Sequence, residues 1–201
     1  MQLFNQEPLE PIARRFRFHA GMRWINIQRP MTIADLGCGP KIRFYDYACK
    51  HSAFITKYYG VDPLLDKEKI KTHKNSNRIS LIQNSFSKKI PLPDNSVDYV
   101  VGFAFLEHID YPFEILNDSL RLLKAHGKAI FTAPSPLAKY ILEFLSFKLK
   151  LISPREIAEH KQYFTRNMLV KATFNHPQVI VHHSYFEFGL NNLLVLEKPS
   201  K

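Results

Sequence analysis

The stretch of this chain best suited to hold a ligand is Asp35-Leu36-Gly37-Cys38-Gly39, an acid followed by two spaced glycines. The short apolar run ahead of it reads as a buried parallel strand, and the glycines as a tight turn leading into a helix. Without Cβ atoms at positions 37 and 39 the backbone can take up positive φ, and a ligand can lie directly against peptide groups at the strand's carboxyl end. The spacing argues against a pyrophosphate. A dinucleotide fingerprint counted from Gly37 needs its third glycine where Ile42 stands, and Asp35 would set a carboxylate beside the phosphates. An acid there suits a ligand end that carries an ammonium group.

A second acid extends the site. Tyr58-Tyr59-Gly60-Val61-Asp62-Pro63 reads as a strand ending in a carboxylate, 23 positions after Gly39. That is close to the separation of roughly 20 at which such an acid reaches a ribose diol. Further on, Ile90-Pro91-Leu92-Pro93-Asp94-Asn95-Ser96-Val97-Asp98-Tyr99-Val100-Val101 is a proline-punctuated turn running into another strand. Phe105-Leu106-Glu107-His108-Ile109 and then Leu120 to Ile130 complete the series.

In order and register, roughly residues 30 to 135 resemble the class I S-adenosylmethionine-dependent methyltransferases, in their small-molecule branch. The resemblance implies an α/β fold: a Rossmann-like, mostly parallel seven-stranded sheet with helices on both faces and a C-terminal antiparallel hairpin. It implies S-adenosyl-L-methionine as cofactor, held by Asp35, Gly37, Cys38 and Gly39, by Asp62 and Pro63, by Asn84, Ser85 and Phe86 after the third strand, and by Phe103 and Ala104 after the fourth. Two positions depart from the family pattern. Lys41 replaces a frequent third glycine, and Ala125-His126 replaces a proline-glycine pair.

The whole chain, residues 1–201, is expected to be one domain, since its length and its 45% hydrophobic, 23% charged composition suit a single core. Residues 1–30 are expected to form a helical cover, and 134–175 an acceptor-side lid. No signal-like segment or membrane-length apolar run is present, so a cytoplasmic location is expected. Cys38 and Cys49 have no metal-ligand spacing, and no metal is expected. The net charge of +10 gathers at Arg14 to Arg29, at Lys67 to Arg78, and at Lys148 to Arg155. Solvated helix faces are favoured over a nucleic-acid surface, because no nucleic-acid module accompanies the charge.

The catalytic candidates are His108, His160 and Tyr163. His108 could orient a substrate or take a proton, or be a helix-end histidine tied to a backbone carbonyl; His160 and Tyr163 could face the acceptor, with His160 a second candidate base, or be ordinary packing residues. Asn84 has two open readings, an adenine partner and a turn asparagine. The apolar stretch Leu137 to Leu151 reads first as a lid, then as a buried helix, and last as a helix lying in a membrane interface. Ser153-Pro154-Arg155-Glu156 is a capping box, and Thr165 is placed to cap a helix through Phe174. The acceptor expected is a small or sugar-like molecule. An RNA acceptor and a non-catalytic scaffold are the rivals, and a dinucleotide oxidoreductase fails at Ile42. The oligomeric state is not legible.

Overall fold

The computed structural model describes residues 10–51, 54–65, 77–87, 89–147, 161–171, 173 and 175–200. Its centre is a seven-stranded sheet in the order β3-β2-β1-β4-β5-β7-β6. The strands are β1 (Met31–Leu36), β2 (Ile55–Val61), β3 (Ile79–Ile82), β4 (Val97–Phe103), β5 (Leu123–Pro134), β6 (Ile180–Phe186) and β7 (Asn191–Glu197). The first five run parallel, and β7 enters antiparallel between β5 and β6. This is the expected Rossmann-like sheet with its closing hairpin. The order reverses between β1 and β4, and ligands bind at such a switch point.

Strand β1 is apolar on both sides because both faces are covered. Ile33 faces a layer with Phe18, Phe44, Tyr58, Val101 and Ile130. Ala34 and Leu36 face the opposite layer with Val100, Leu106, Leu116 and Phe131. Helix α1 (Glu10–Met22) and helix α2 (Arg43–Lys50) cover the first face. Phe18 of α1 lies edge-on to Phe44 at 5.3 Å and to Phe103 at 5.1 Å. Helix α1 thus packs against α2 and the end of β4. Helix α3 (Pro112–Leu122), with proline in its first turn, covers the other face through Ile115, Leu116 and Leu120. Arg121 pins the proline-punctuated turn to α3, donating to the carbonyls of Ile90 and Leu92 and to Asp94 and Asp118.

The structure corrects one boundary. The residue pattern predicts strand β5 over Lys128–Ala133, with Gly127 just past the helix end, but the strand starts at Leu123, which pairs with Val97. Gly127 therefore lies inside the strand. A Cβ there would come within 2.9 Å of the carbonyls of Asp98 and Lys124, so glycine is required by backbone approach at the register shift. Helix α4 (Pro136–Phe147) and the short helix α5 (Arg166–Lys171) occupy the expected lid region. Thr165 Oγ1 accepts from the Met168 N–H at 3.3 Å, the expected cap, although the helix ends at Lys171. A short helix that the sequence suggests over Leu64 to Thr72 lies largely outside the described residues, and the capping box at Ser153 wholly so.

Candidate active site

The turn after β1 is fixed by packing as much as by its glycines. Gly37 has φ +74°, and a Cβ built on it would lie 2.5 Å from Cδ2 of Phe105. Its N–H donates to the Val61 carbonyl at 2.8 Å, tying the turn to β2. Gly39 has φ +63°, and a Cβ there would meet nothing within 4 Å. Open space therefore lies over the backbone at the second glycine. Asp62, 6% exposed, reaches back across this turn. Its Oδ2 accepts from the Gly39 N–H at 2.9 Å, and its Oδ1 from the Leu64 N–H at 2.7 Å. Each oxygen keeps a further acceptor position. Lys41 is exposed, and Ile42 is fully buried as the residue before α2.

Asp35 is 3% exposed and accepts a short hydrogen bond from the Tyr58 hydroxyl. Burial pushes its carboxyl up to about 7, the Tyr58 bond opposes this, and the charge of Asp62 adds to it. Burial likewise raises the Tyr58 phenol well above its usual range. The Cys38 thiol is raised strongly by burial and by Asp35 and Asp62, so it is an inert turn residue. Pro63 follows, its carbonyl accepting from Gln83 Nε2 at 3.2 Å.

Asn84 spends its side-chain oxygen on the Phe86 N–H at 2.7 Å, the bond of a turn asparagine. Ser85 is exposed and shares a 2.8 Å hydrogen bond with Ser87. Phe86 is buried edge-on to Phe105 at 4.6 Å and so belongs to the core beneath the turn. Phe103 points to the α1 and α2 side, against Phe18 and Phe44. Ala104 turns the chain with φ +50°, its N–H held by Thr132. A cleft of about 450 Å³ between Phe86 and α3 is lined by Glu114, Asp118 and Arg121 and by none of the glycine-turn residues.

Beyond Ala104 the chain makes a 3₁₀ turn, Leu106–His108. The segment 161–164 is hydrogen-bonded to it: the Lys161 N–H donates to the Glu107 carbonyl at 2.8 Å and Gln162 Nε2 to the Ile109 carbonyl at 3.2 Å. Asn192, fully buried, closes the arrangement by donating to the carbonyls of Phe164 and Ala133. The segments carrying His108 and Tyr163 are thereby brought together at the carboxyl end of the sheet, and both side chains are half-buried. His160 lies outside the described residues. Among those described, no group of three or more His, Cys, Asp or Glu side chains could hold a metal ion.

Four residues central to this region were not singled out as site residues from sequence: Tyr58, Phe105, Glu107 and Arg17. Glu107 offered a signal, a carboxylate set between Phe105-Leu106 and Ile109. It is 1% exposed, and burial raises its carboxyl to about 7 against a hydrogen bond from its own backbone N–H and the charge of Arg17. Glu187 follows β6 in a second 3₁₀ turn, Glu187–Gly189, and is raised by burial, again opposed by Arg17.

Residues 34–131 match the family described as "Methyltransferase domain". The chain is 31% identical over 103 residues to a mitochondrial ubiquinone biosynthesis O-methyltransferase of Candida albicans, a match covering 48% of this chain and 30% of that protein. It is 26% identical over 182 residues to a demethylmenaquinone methyltransferase of Staphylococcus epidermidis, covering 87% of this chain and 73% of the relative. Among solved structures, a SAM dependent methyltransferase from Aquifex aeolicus superposes with TM-score 0.63 at 14% identity, covering 97% of this chain and 99% of that one. That last likeness is one of fold.

Proposed function

From a chain that carries a class I S-adenosylmethionine-dependent methyltransferase domain, we propose an enzyme that methylates a small molecule with an apolar body and a polar reacting group. S-adenosylmethionine is the cofactor of this class. When bound it supplies a methyl group made electrophilic by the sulfonium, whose carbon–sulfur electron pair returns to sulfur on transfer.

The observation that carries the reading is the glycine turn. Open space over Gly39, with Asp62 clamped to its N–H, is a cradle into which a nucleoside can settle against backbone. In this reading Asp62 receives the ribose hydroxyls on its remaining acceptor positions. Asp35, with a proton affinity raised by burial, faces the ammonium end. Gly37, Cys38, Gly39 and Pro63 supply the backbone wall, Asn84, Ser85 and Phe86 border the adenine, and Phe103 and Ala104 border the sulfonium. The protein's own work is alignment and exclusion of water, which can lower a barrier by roughly 7–11 kcal/mol in favourable cases.

The small-molecule acceptor is supported by the relatives, one named for ubiquinone biosynthesis and one for demethylmenaquinone, and by exposed Leu137, Tyr140 and Ile141 on α4. Helix α4, with the rest of 134–175, is then the acceptor-side lid. His108, Tyr163 and His160 remain candidates for contacting the acceptor. The RNA reading is weakened only slightly where Arg14 and Arg17 share Glu10, which offsets one of their two charges in the first basic cluster.

Calorimetric titration with S-adenosylmethionine and S-adenosylhomocysteine tests the proposal. Micromolar binding is expected, weakened about tenfold by Asp62→Ala through loss of charge-assisted hydrogen bonds. Absence of binding would leave a scaffold with a methyltransferase fold.

A further inference from the structure

Trp24 is the single tryptophan of the chain, and it stands against the hairpin that closes the sheet. Its backbone N–H donates to the Gly21 carbonyl at 3.0 Å, which fixes it just past α1. The indole lies 4.8 Å from the His182 ring, tilted 41° to it, and Lys128 Nζ stands 5.6 Å from the indole centroid. Here there is a cavity of about 350 Å³, lined by Trp24, Val181, His182, Ser184, Leu193 and, from α5, Arg166. It shares no residue with the glycine turn. Strand β6 is four strand spacings from β1, which at about 4.8 Å each is roughly 19 Å across the sheet.

The lining offers two kinds of surface. Trp24, Val181 and Leu193 are apolar, whereas Arg166, His182 and Ser184 carry polar groups with no side-chain hydrogen bond or ion pair among the described residues. Arg166 and Ser184 are exposed and His182 is half-buried, so a ligand can reach all three. The backbone adds a donor. N–H groups along a strand point alternately to its two sides, and β6 is bonded to β7 on one side with no described strand on the other. Of the N–H groups of His182, His183 and Ser184, at least one is therefore turned to the open edge.

No acidic side chain lines the cavity among the described residues, and Glu197 nearby is held by Lys128 at 3.4 Å. A cationic ligand would meet Arg166 and find no carboxylate. A compact anion such as phosphate would use the donors and leave the apolar wall uncovered. A carboxylate on an apolar body suits both surfaces, because its two oxygens accept side by side from a guanidinium while its body covers the indole.

We propose that this cavity is a second ligand site, which takes a small monocarboxylate with an apolar body, the carboxylate on Arg166 and Ser184 and the body against Trp24 and Leu193. The site is separate from the methyltransferase reading. It needs no cofactor and involves no covalent step.

Because Trp24 is the single tryptophan, its emission reports the site directly. The probe is hydrocinnamate, titrated into the full chain with and without saturating S-adenosylhomocysteine. A saturable change in emission is expected in both cases. Hydrocinnamamide has the same shape without the charge and should bind about tenfold more weakly. Arg166→Met keeps an apolar stem, removes the charge and should weaken hydrocinnamate about tenfold, and Arg166→Lys should recover part of the loss. Circular dichroism of both variants keeps a folding defect from being read as a site effect. Equal affinity for acid and amide, unchanged binding in Arg166→Met, or neither an emission change nor calorimetric heat with wild type overturns the assignment. Competition by S-adenosylhomocysteine would place the probe in the cofactor cleft and overturn it as well, while leaving the methyltransferase reading intact.

Discussion

The two halves of the site, on either side of the switch point, are built on opposite rules. On the β1–β2 side the polar side chains find partners inside the protein. Asp62 accepts two backbone N–H groups, Asp35 accepts from Tyr58, and the Gly37 N–H is held by Val61. On the β4–β5–β7 side Arg17, Glu107 and Glu187 each keep one buried atom without a partner among the described residues. A pocket that needs the same shape in every turnover gains from being complete before its ligand arrives. Polar atoms buried without a partner instead lower stability, so this side is held by packing more than by hydrogen bonds.

The sharpest way to break this contrast is at the two glycines. Gly37→Ala combines a left-handed backbone with a Cβ 2.5 Å from Phe105, and is expected to cost roughly 2–5 kcal/mol in a denaturant melt. Gly39→Ala has the backbone strain without the collision, and should cost only about 1–2 kcal/mol while still weakening S-adenosylhomocysteine binding in calorimetry. Equal losses of stability from the two would show that Phe105 does not define the turn.

Glu107→Gln sharpens the other half. The folded carboxyl at about 7 lies above its unfolded value of 4.5, so its contribution to stability is fully present below the unfolded pKa. That contribution is lost as pH rises through the folded one. Asp35 at about 7, against 3.8 unfolded, acts with the same sign. Stability should therefore fall between about pH 4 and 7 and level off above. In Glu107→Gln the fall should be shallower, with a gain of roughly 1–3 kcal/mol over wild type at about pH 8, read from urea melts across pH. A variant as pH-dependent as wild type would contradict the buried, orphaned carboxyl.

Tyr58→Phe should do the reverse on the completed side. It removes the donor to a carboxyl that is 3% exposed, costs about 1–3 kcal/mol, and raises Asp35 further, because the Tyr58 bond is what lowers it. Nuclear magnetic resonance titration of the Asp35 carboxyl checks the direction. The smallest effect belongs to Thr165→Ala, which removes the cap of α5, at about 0.5–1 kcal/mol in a thermal melt.

Much of the β1–β2 side could be read from sequence because its signals are local. An apolar run, an acid, two glycines and a second acid lie in one short span, and backbone sterics alone turn them into strand, turn and helix. The start of β5 was not readable. Lys124, Ala125 and His126 carry no strand pattern, and only pairing of Leu123 with Val97 draws them into the sheet. Asn84 was left between two roles, and its bond to the Phe86 N–H is the one a turn asparagine makes locally.

The sequence by itself determined the strand order's raw material, the glycine turn and the class of cofactor, since each depends on residue types at short spacing. Tertiary structure decided what stands opposite them. Phe105 under Gly37, Tyr58 on Asp35, and the charge of Arg17 acting on both Glu107 and Glu187 join residues far apart in the chain. Burial, which only the folded chain supplies, is what turns an ordinary glutamate at position 107 into a carboxyl able to hold a proton near neutral pH.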